Sequence, residues 1–360
     1  MPLINLDVFN IRVIEKASIQ PCPGLNVISG DNAAGKTSLL EAIHILGTGR
    51  SFRTKKLDNL ITQEQEFSLL RGHYLSGKGR DFDVGIERKK RTTTVHINGE
   101  SVINAANLAR IAPLRVVEPN SHQEFKSNIK KRRAALDWGL FHVEPSYHQT
   151  WLNYSHLLKQ RNAALRSGAT FIRTFPSWNR QLSEYAEILK VQREDYFSVW
   201  ESYFRKQNNL LLKNLPVVSL KLKNGWDTER NLTECLKLDY ERDKSQGYTH
   251  SGPHRADILV SVKGKPAAEV ASHGQYKLII MALLLSQLSL LSDREETSPI
   301  LLLDDSGAEL DHEHLDMLMG ELSTLPLQVF FTTTNKAGFE KFAENQSTFH
   351  VEHGQIQQIF

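Results

Sequence analysis

Two patterns of apolar and polar positions alternate along the chain. Leu25-Asn26-Val27-Ile28 is a short apolar run that ends just before Gly30, and Thr37 to Leu46 then carries apolar residues at helical spacing. A strand, a glycine-rich turn and a helix are predicted there in that order. Farther on, Gly85-Ile86-Glu87 and Val95-His96-Ile97 read as strands, and Asn98-Gly99 is a hairpin signal. From about Asn128 to Leu212 the period becomes helical, and Pro145 and Pro176 are the only prolines. Those breaks predict three or so long amphipathic helices, with Leu157, Leu158, Arg161, Ala164 and Leu165 on one face. After Pro216 strands return at Asp257 to Val262, before a Lys263-Gly264 turn. A helix follows over Gln275 to Leu291, then a strand over Pro299 to Leu303, a helix from Leu310 and a strand over Val329 to Thr332. The order predicts an α/β protein: a sheet core from residues 1–120 and 216–360, split by a helical arm at 121–215.

At 360 residues the chain can hold two or three domains. Lys plus Arg number 44 against 41 acidic residues, a net charge of +3, which neither requires nor excludes a nucleic-acid partner. Clustering is more informative. Arg50, Arg53, Lys55 and Lys56 form one basic group, Lys89-Lys90-Arg91 a second, and Lys130-Lys131-Arg132-Arg133 a third. Each could neutralise DNA phosphates or be a solvated face. Lys55, Lys56, Lys130, Lys131, Arg132 and Arg133 are the candidate DNA contacts. Cys22 and Cys235 cannot build a disulfide framework, which suits a reducing cytosol. The most apolar stretch, Leu278 to Leu291, is interrupted by Ser286, Gln287 and Ser289 and is shorter than the ~20 residues of a membrane span. With no signal-peptide pattern at Met1 to Asp7, the expectation is a cytoplasmic protein with no membrane partner.

Three stretches carry candidate chemistry. Gly30-Asp31-Asn32-Ala33-Ala34-Gly35-Lys36-Thr37 fits G-x-x-x-x-G-K-[ST], the phosphate-loop pattern, with Ser38 continuing the helix. In such a loop glycines let backbone N–H groups approach phosphates, the lysine reaches the β- and γ-phosphates, and the threonine hydroxyl holds Mg²⁺. Leu301-Leu302-Leu303-Asp304-Asp305 reads as a buried strand delivering two carboxylates to the ligand edge of a sheet. There Asp304 would contact the Mg²⁺ shell and Asp305 would orient or deprotonate attacking water. Ser272-His273-Gly274-Gln275 is either a helix N-cap or a grip on a γ-phosphate. His250-Ser251-Gly252-Pro253-His254 has H-x-x-x-H spacing, but Gly252 and Pro253 forbid the helix that would align the pair, so a structural role is expected. His312 and His314 read as solvated.

Taken together these residues resemble the RecF family of bacterial repair ATPases, related to the SMC and ABC families. The resemblance rests on Gly30 to Ala42, on Gly49-Arg50-Ser51-Phe52-Arg53, on Arg132-Arg133 with Leu136-Asp137, on Thr249 to Ile258 with Gly252-Pro253-His254-Arg255-Ala256-Asp257, and on Asp304 to Asp311. It spans nearly the whole chain in the right order. It implies an ABC-type ATPase head with a helical second lobe, binding ATP and Mg²⁺ in an ATP-dependent homodimer. Ser272, Gly274 and Gln275 of one copy would complete the site containing Lys36 of the other. It also implies binding to duplex DNA near single-strand gaps, work with RecR and RecO to help load RecA, a place in recombination and the SOS response, and slow, DNA-stimulated hydrolysis that resets the cycle. Departures from the pattern bear on hydrolysis: His273 and Tyr276 in the signature, Ser306-Gly307 after the carboxylates, Asp305 where ABC enzymes carry glutamate, and Thr332-Thr333-Thr334 where they carry a switch histidine. Val117-Glu118-Pro119-Asn120 matches the family's proline-acidic motif loosely. Two alternatives remain: a nucleotide-gated binding module with negligible turnover, and the ATPase subunit of a membrane transporter. The helical insertion and the Gly252 to Asp257 segment weigh against the latter.

Overall fold

The computed structural model describes residues 1–75, 81–102, 105–167, 175–212, 217–295, 298–305, 312–334 and 346–359. It separates into two compact units: residues 1–121 with 288–360, and residues 122–287. The expected division placed 216–287 with the head. The second unit instead takes in this stretch, because its strands pair with each other and its buried carboxylates pair with arginines of the helical region.

The first unit opens with β1 (Leu3–Ile11), β2 (Ile14–Ile19), β3 (Leu25–Ser29), α1 (Lys36–Thr48), a 3-10 turn at Leu57–Leu60, β4 (Phe67–Tyr74), β5 (Phe82–Lys89), β6 (Thr92–Ile97), β7 (Glu100–Ser101), α2 (Ala105–Ile111) and β8 (Leu114–Val117). The second unit runs α3 (Ser121–Ser127), α4 (Ile129–Val143), α5 (Tyr147–Ser167), α6 (Phe175–Leu211), β9 (Val218–Lys223), α7 (Leu232–Leu238), α8 (Tyr240–Gln246), β10 (Asp257–Val262), β11 (Lys265–Pro266), α9 (Ala267–Val270) and the start of α10 (His273–Glu295). The first unit resumes with the end of α10, then β12 (Ile300–Leu303), α11 (His312–Thr324), β13 (Gln328–Thr333), β14 (Gln346–Glu352) and β15 (Gln355–Gln358).

In the first unit an antiparallel sheet runs β2-β1-β4-β5-β6-β7 and a second sheet runs β15-β14-β3-β13-β12-β8. The second sheet is parallel except for its edge strand β15. Burial on both faces explains why β12 reads Ile-Leu-Leu-Leu and is wholly buried, whereas β4 of the first sheet alternates inside and outside. Leu39, Leu40, Ile43 and Leu46 of α1 join Leu6, Val8 and Ile86 of the first sheet to Ile28, Leu302 and Phe330 of the second in one core. The register aligns Leu303 with Phe331 and Thr332 with Ile28. The C-terminal ends of β3, β12 and β13 therefore lie at the same edge of the sheet, the end where parallel sheets bind ligands.

The second unit holds the three long helices predicted from the period. Pro145 falls between α4 and α5, and Pro176 sits in the first turn of α6, where a missing N–H costs nothing. Helix α6 has 37 residues, roughly 55 Å at 1.5 Å per residue. It packs on α5 through contacts such as Asn153 Nδ2 donating to the Tyr185 hydroxyl at 3.3 Å. Helix α10 starts two residues before the expected Gln275 and ends four after Leu291. By length and composition it could cross a membrane, but most of it is buried inside the protein, as core helices are.

Candidate phosphate-binding site

Strand β3 ends at Ser29 and the backbone turns at once. Gly30 has φ +153° and lies against β14, where an added Cβ would sit 2.1 Å from the Val351 carbonyl oxygen. Only glycine fits that approach. Ala33 (φ 64°) and Gly35 (φ 120°) complete the loop, and Gly354 N–H donates to the Ala34 carbonyl at 2.8 Å from the β14–β15 turn. The loop delivers the chain to Lys36, the first residue of α1, whose opening N–H groups have no partner in the previous turn. Lys36 is buried, and its ammonium donates to the Gly30 and Asp31 carbonyls, both at 2.8 Å. That holds a positive charge beside the positive end of the helix dipole, an arrangement that favours an anion.

Asp304 and Asp305 leave β12 at the same edge. The Thr37 hydroxyl donates to Asp304 Oδ1 at 2.9 Å, and the Thr332 hydroxyl donates to the same oxygen at 3.0 Å. Burial raises the Asp304 carboxyl above its ordinary range, opposed by those two hydroxyls. Asp305 has φ 46° and its N–H donates to Thr332 Oγ1 at 2.8 Å. A cleft of about 400 Å³ is lined by Arg12, Val13, Asn32, Ala33, Gly35, Lys36, Thr37, Ser38, Arg53, Asp304 and Asp305. Sequence motifs separated by more than 260 residues therefore meet in one cleft of one unit. A larger cleft of about 590 Å³ in the second unit, between α6 and β9, gathers none of this chemistry.

Arg12, and the role of Glu41, escaped the motif reading. Glu41 is fully buried on α1 and accepts Arg12 Nε at 3.0 Å and Arg12 Nη2 at 3.1 Å. The Ser51 hydroxyl also donates to it, and Arg53 lies 3.7 Å away. A buried carboxylate is stable only when paired, so Glu41 fixes Arg12 and draws Arg53 to the mouth of the cleft. A polar residue amid the apolar positions of α1 was the available signal for Glu41. Nothing in the local pattern marks Arg12.

Ser272, Gly274 and Gln275 lie in the second unit. Gln275 N–H donates to Ser272 Oγ at 3.3 Å, and Ser272 N–H donates to Gln275 Oε1 at 3.0 Å. This is a reciprocal capping box at the start of α10. Nothing lies within 4 Å of a Cβ added to Gly274.

The RecF/RecN/SMC N terminal domain family matches residues 2–357. The chain is 39% identical over 365 residues to the DNA replication and repair protein RecF of Thioalkalivibrio sulfidiphilus, covering 99% of both chains. It is 37% identical to that of Stutzerimonas stutzeri, covering 100% of this chain and 98% of the relative. This chain belongs to the RecF family. As a RecF-family member it is a DNA replication and repair protein with an SMC-related, ABC-type head. Solved structures show the same fold. The recombination mediator protein RecF with ATP, from the RecFOR pathway, superposes with TM-score 0.86 at 24% identity over 99% of this chain and 97% of that one. The Smc head domain of Pyrococcus furiosus, with an extended coiled coil and bound to the C-terminal domain of ScpA, gives 0.63 at 14% identity over 99% and 95%.

In this RecF-family chain the third basic cluster divides. Arg132 pairs with Asp257 at 2.7 and 2.9 Å and donates to the Phe125 and Lys126 carbonyls. Arg133 is half-buried against the Ala256 carbonyl at 3.3 Å. Lys130 is exposed, and exposed Lys131 pairs with Glu124 at 2.6 Å. Lys55 and Lys56 are exposed in the first unit.

The Gly252 to Asp257 segment is structural in the same way. Gly225 (φ 96°) packs so closely beneath it that an added Cβ would lie 2.3 Å from the Gly252 carbonyl oxygen. His254 Nε2 meets the Thr249 carbonyl at 3.0 Å and Nδ1 meets the Tyr154 hydroxyl at 2.7 Å. His250 Nδ1 pairs with Asp243 at 2.7 Å. The two histidines thus use their ring nitrogens on separate protein partners. Residues 306–311, which include Ser306-Gly307 and Asp311, lie outside the described residues, as do 335–345.

Proposed function

We propose that this chain is an ATP-dependent DNA-binding protein of recombinational repair and replication-gap rescue. The observation that carries the reading is the Thr37–Asp304 hydrogen bond, which places a phosphate-loop threonine on the carboxylate that ends β12. The residues fit a Mg²⁺-nucleotide. Thr37 commits its proton to Asp304, so its lone pairs are available to a cation, and both groups are hard oxygen donors of the kind Mg²⁺ takes. When bound, Mg²⁺ would neutralise charge developing on the phosphates. The chain's own groups do the rest. Loop N–H groups and Lys36 hold the phosphates, Arg12 and Arg53 add positive charge at the mouth, and Asp305 orients or deprotonates water.

An ATP-dependent homodimer is supported by the open space over Gly274, a glycine that packing within the chain does not demand. A second copy's nucleotide would use that space. ATP would then touch both copies only in the dimer and favour that state. The dimer would bind duplex DNA near single-strand gaps through Lys55, Lys56, Lys130 and Lys131 in the cytoplasm, with RecR and RecO as partners in loading RecA. The RecFOR pathway named for the superposed RecF structures supports these partners. Slow hydrolysis would release the DNA.

The test is ATP binding and turnover by Lys36→Ala and Asp305→Asn. Loss of binding in the first, with binding kept and turnover lost in the second, is expected. Full ATP binding by Lys36→Ala would overturn the site. A second reading, a nucleotide-gated module with negligible turnover, is favoured by the short carboxylate of Asp305 and by Thr332 to Thr334 where a histidine would act. Turnover that stays at background with gapped DNA would select it.

A further inference from the structure

We propose that Thr332 is a positioning residue whose one hydroxyl holds the Asp304 carboxylate and the Asp305 backbone after β12. The inference rests on the nucleotide-site reading above. A hydroxyl has one proton and two lone pairs. At Thr332 two acceptors lie in reach of the proton, Asp304 Oδ1 at 3.0 Å and the Leu303 carbonyl at 3.4 Å; the shorter contact takes it to Asp304, and a lone pair accepts the Asp305 N–H at 2.8 Å. Thr332 is 1% exposed and lies on β13, next to β12 in the parallel sheet, so its hydroxyl reaches both residues from a rigid element.

Each bond does separate work. Asp304 Oδ1 accepts from Thr37 and from Thr332 together, which fixes the carboxylate and directs its second oxygen's lone pairs elsewhere. Asp305 stands at φ 46°, in the left-handed region, which Asp enters more readily than most side chains but which a local hydrogen bond must still constrain. The Thr332 hydroxyl supplies that constraint at the residue placed to meet water. Thr332 thus occupies the strand end where ABC enzymes act through a histidine, but it works on the carboxylates rather than on substrate.

The test uses the intact protein and isothermal titration with ATP, in Mg²⁺ and in EDTA, for wild type, Thr332→Val, Thr332→Ala and Thr332→Ser. The quantity read is the ratio of ATP affinity with Mg²⁺ to that without. Removing an outer hydrogen bond to a metal-binding carboxylate costs about 10–100-fold in metal affinity, so the ratio should fall by about that factor in Thr332→Val and Thr332→Ala. Affinity in EDTA should stay within about twofold, because the loop and Lys36 are untouched, and Thr332→Ser should restore the ratio. Mere misfolding would lower the binding stoichiometry and leave the ratio alone. An unchanged ratio in either variant, at full stoichiometry, overturns the inference while the nucleotide site stands. A wild type that binds no ATP overturns both.

Discussion

Lys36 donates to Gly30 and Asp31 carbonyls within its own loop, so its ammonium is in position before any ligand arrives. Preorganisation of this kind makes nucleotide affinity the main loss in Lys36→Ala. Urea unfolding of that variant should show a stability loss of no more than about 1–3 kcal/mol, from carbonyls left without the buried donor, while ATP binding is lost outright. His254 makes an opposite prediction, on stability alone. Burial lowers its pKa from 6.5 to about 4. Between those values the unfolded chain binds the proton and the folded chain does not, so stability rises with pH through that window and falls as pH drops from about 6.5 toward 4. The full loss is up to about 3 kcal/mol at about 1.4 kcal/mol per unit. His254→Gln, which cannot titrate, should flatten the stability profile between pH 6.5 and 4; an unchanged slope would assign the acid sensitivity to other groups.

Among the elements, the helices of the second unit are held to the segment before β10 by buried charge. Arg161 and Asp243 are both fully buried and meet at 2.7 Å; Asn179 Oδ1 accepts from Nε and Thr249 Oγ1 from the same Nη1, while Nη2 has no hydrogen-bond partner among the described residues. Removing one partner of a buried pair strands the other, at about 3–5 kcal/mol. Asp243→Asn should therefore lower the urea midpoint sharply, whereas Arg180→Ala, at an exposed pair, should leave it within about 0.5 kcal/mol. These pairs also show where sequence reading stops. The helices divided by Pro145 and Pro176, the phosphate-loop helix, the Asn98-Gly99 turn and the carboxylates after β12 are all visible in the sequence, because each is written in local period or turn chemistry. Arg12 on Glu41, Arg132 on Asp257 and Arg161 on Asp243 join residues 29, 125 and 82 apart, and no period encodes such partners. That is why the sequence pattern puts Arg132 among the candidate DNA contacts and residues 216–287 with the head. Ser272 and Gln275 were legible as a cap, and the cap is what they form.

At the scale of the whole molecule, near-neutral net charge directs attention to where the cations stand. If Lys55 and Lys56 each neutralise a phosphate, replacing both by alanine should flatten the dependence of log affinity on log salt by about 2, while Arg132→Ala should act on stability. In the proposed mechanism, nucleotide in the loop-and-carboxylate cleft governs DNA binding. The most direct test is the affinity of the intact protein for gapped duplex DNA at fixed salt, with and without ATP and Mg²⁺, for wild type and Lys36→Ala. ATP should tighten wild-type binding by about tenfold or more and do nothing for the variant. Equal affinity with and without ATP in the wild type would contradict the mechanism.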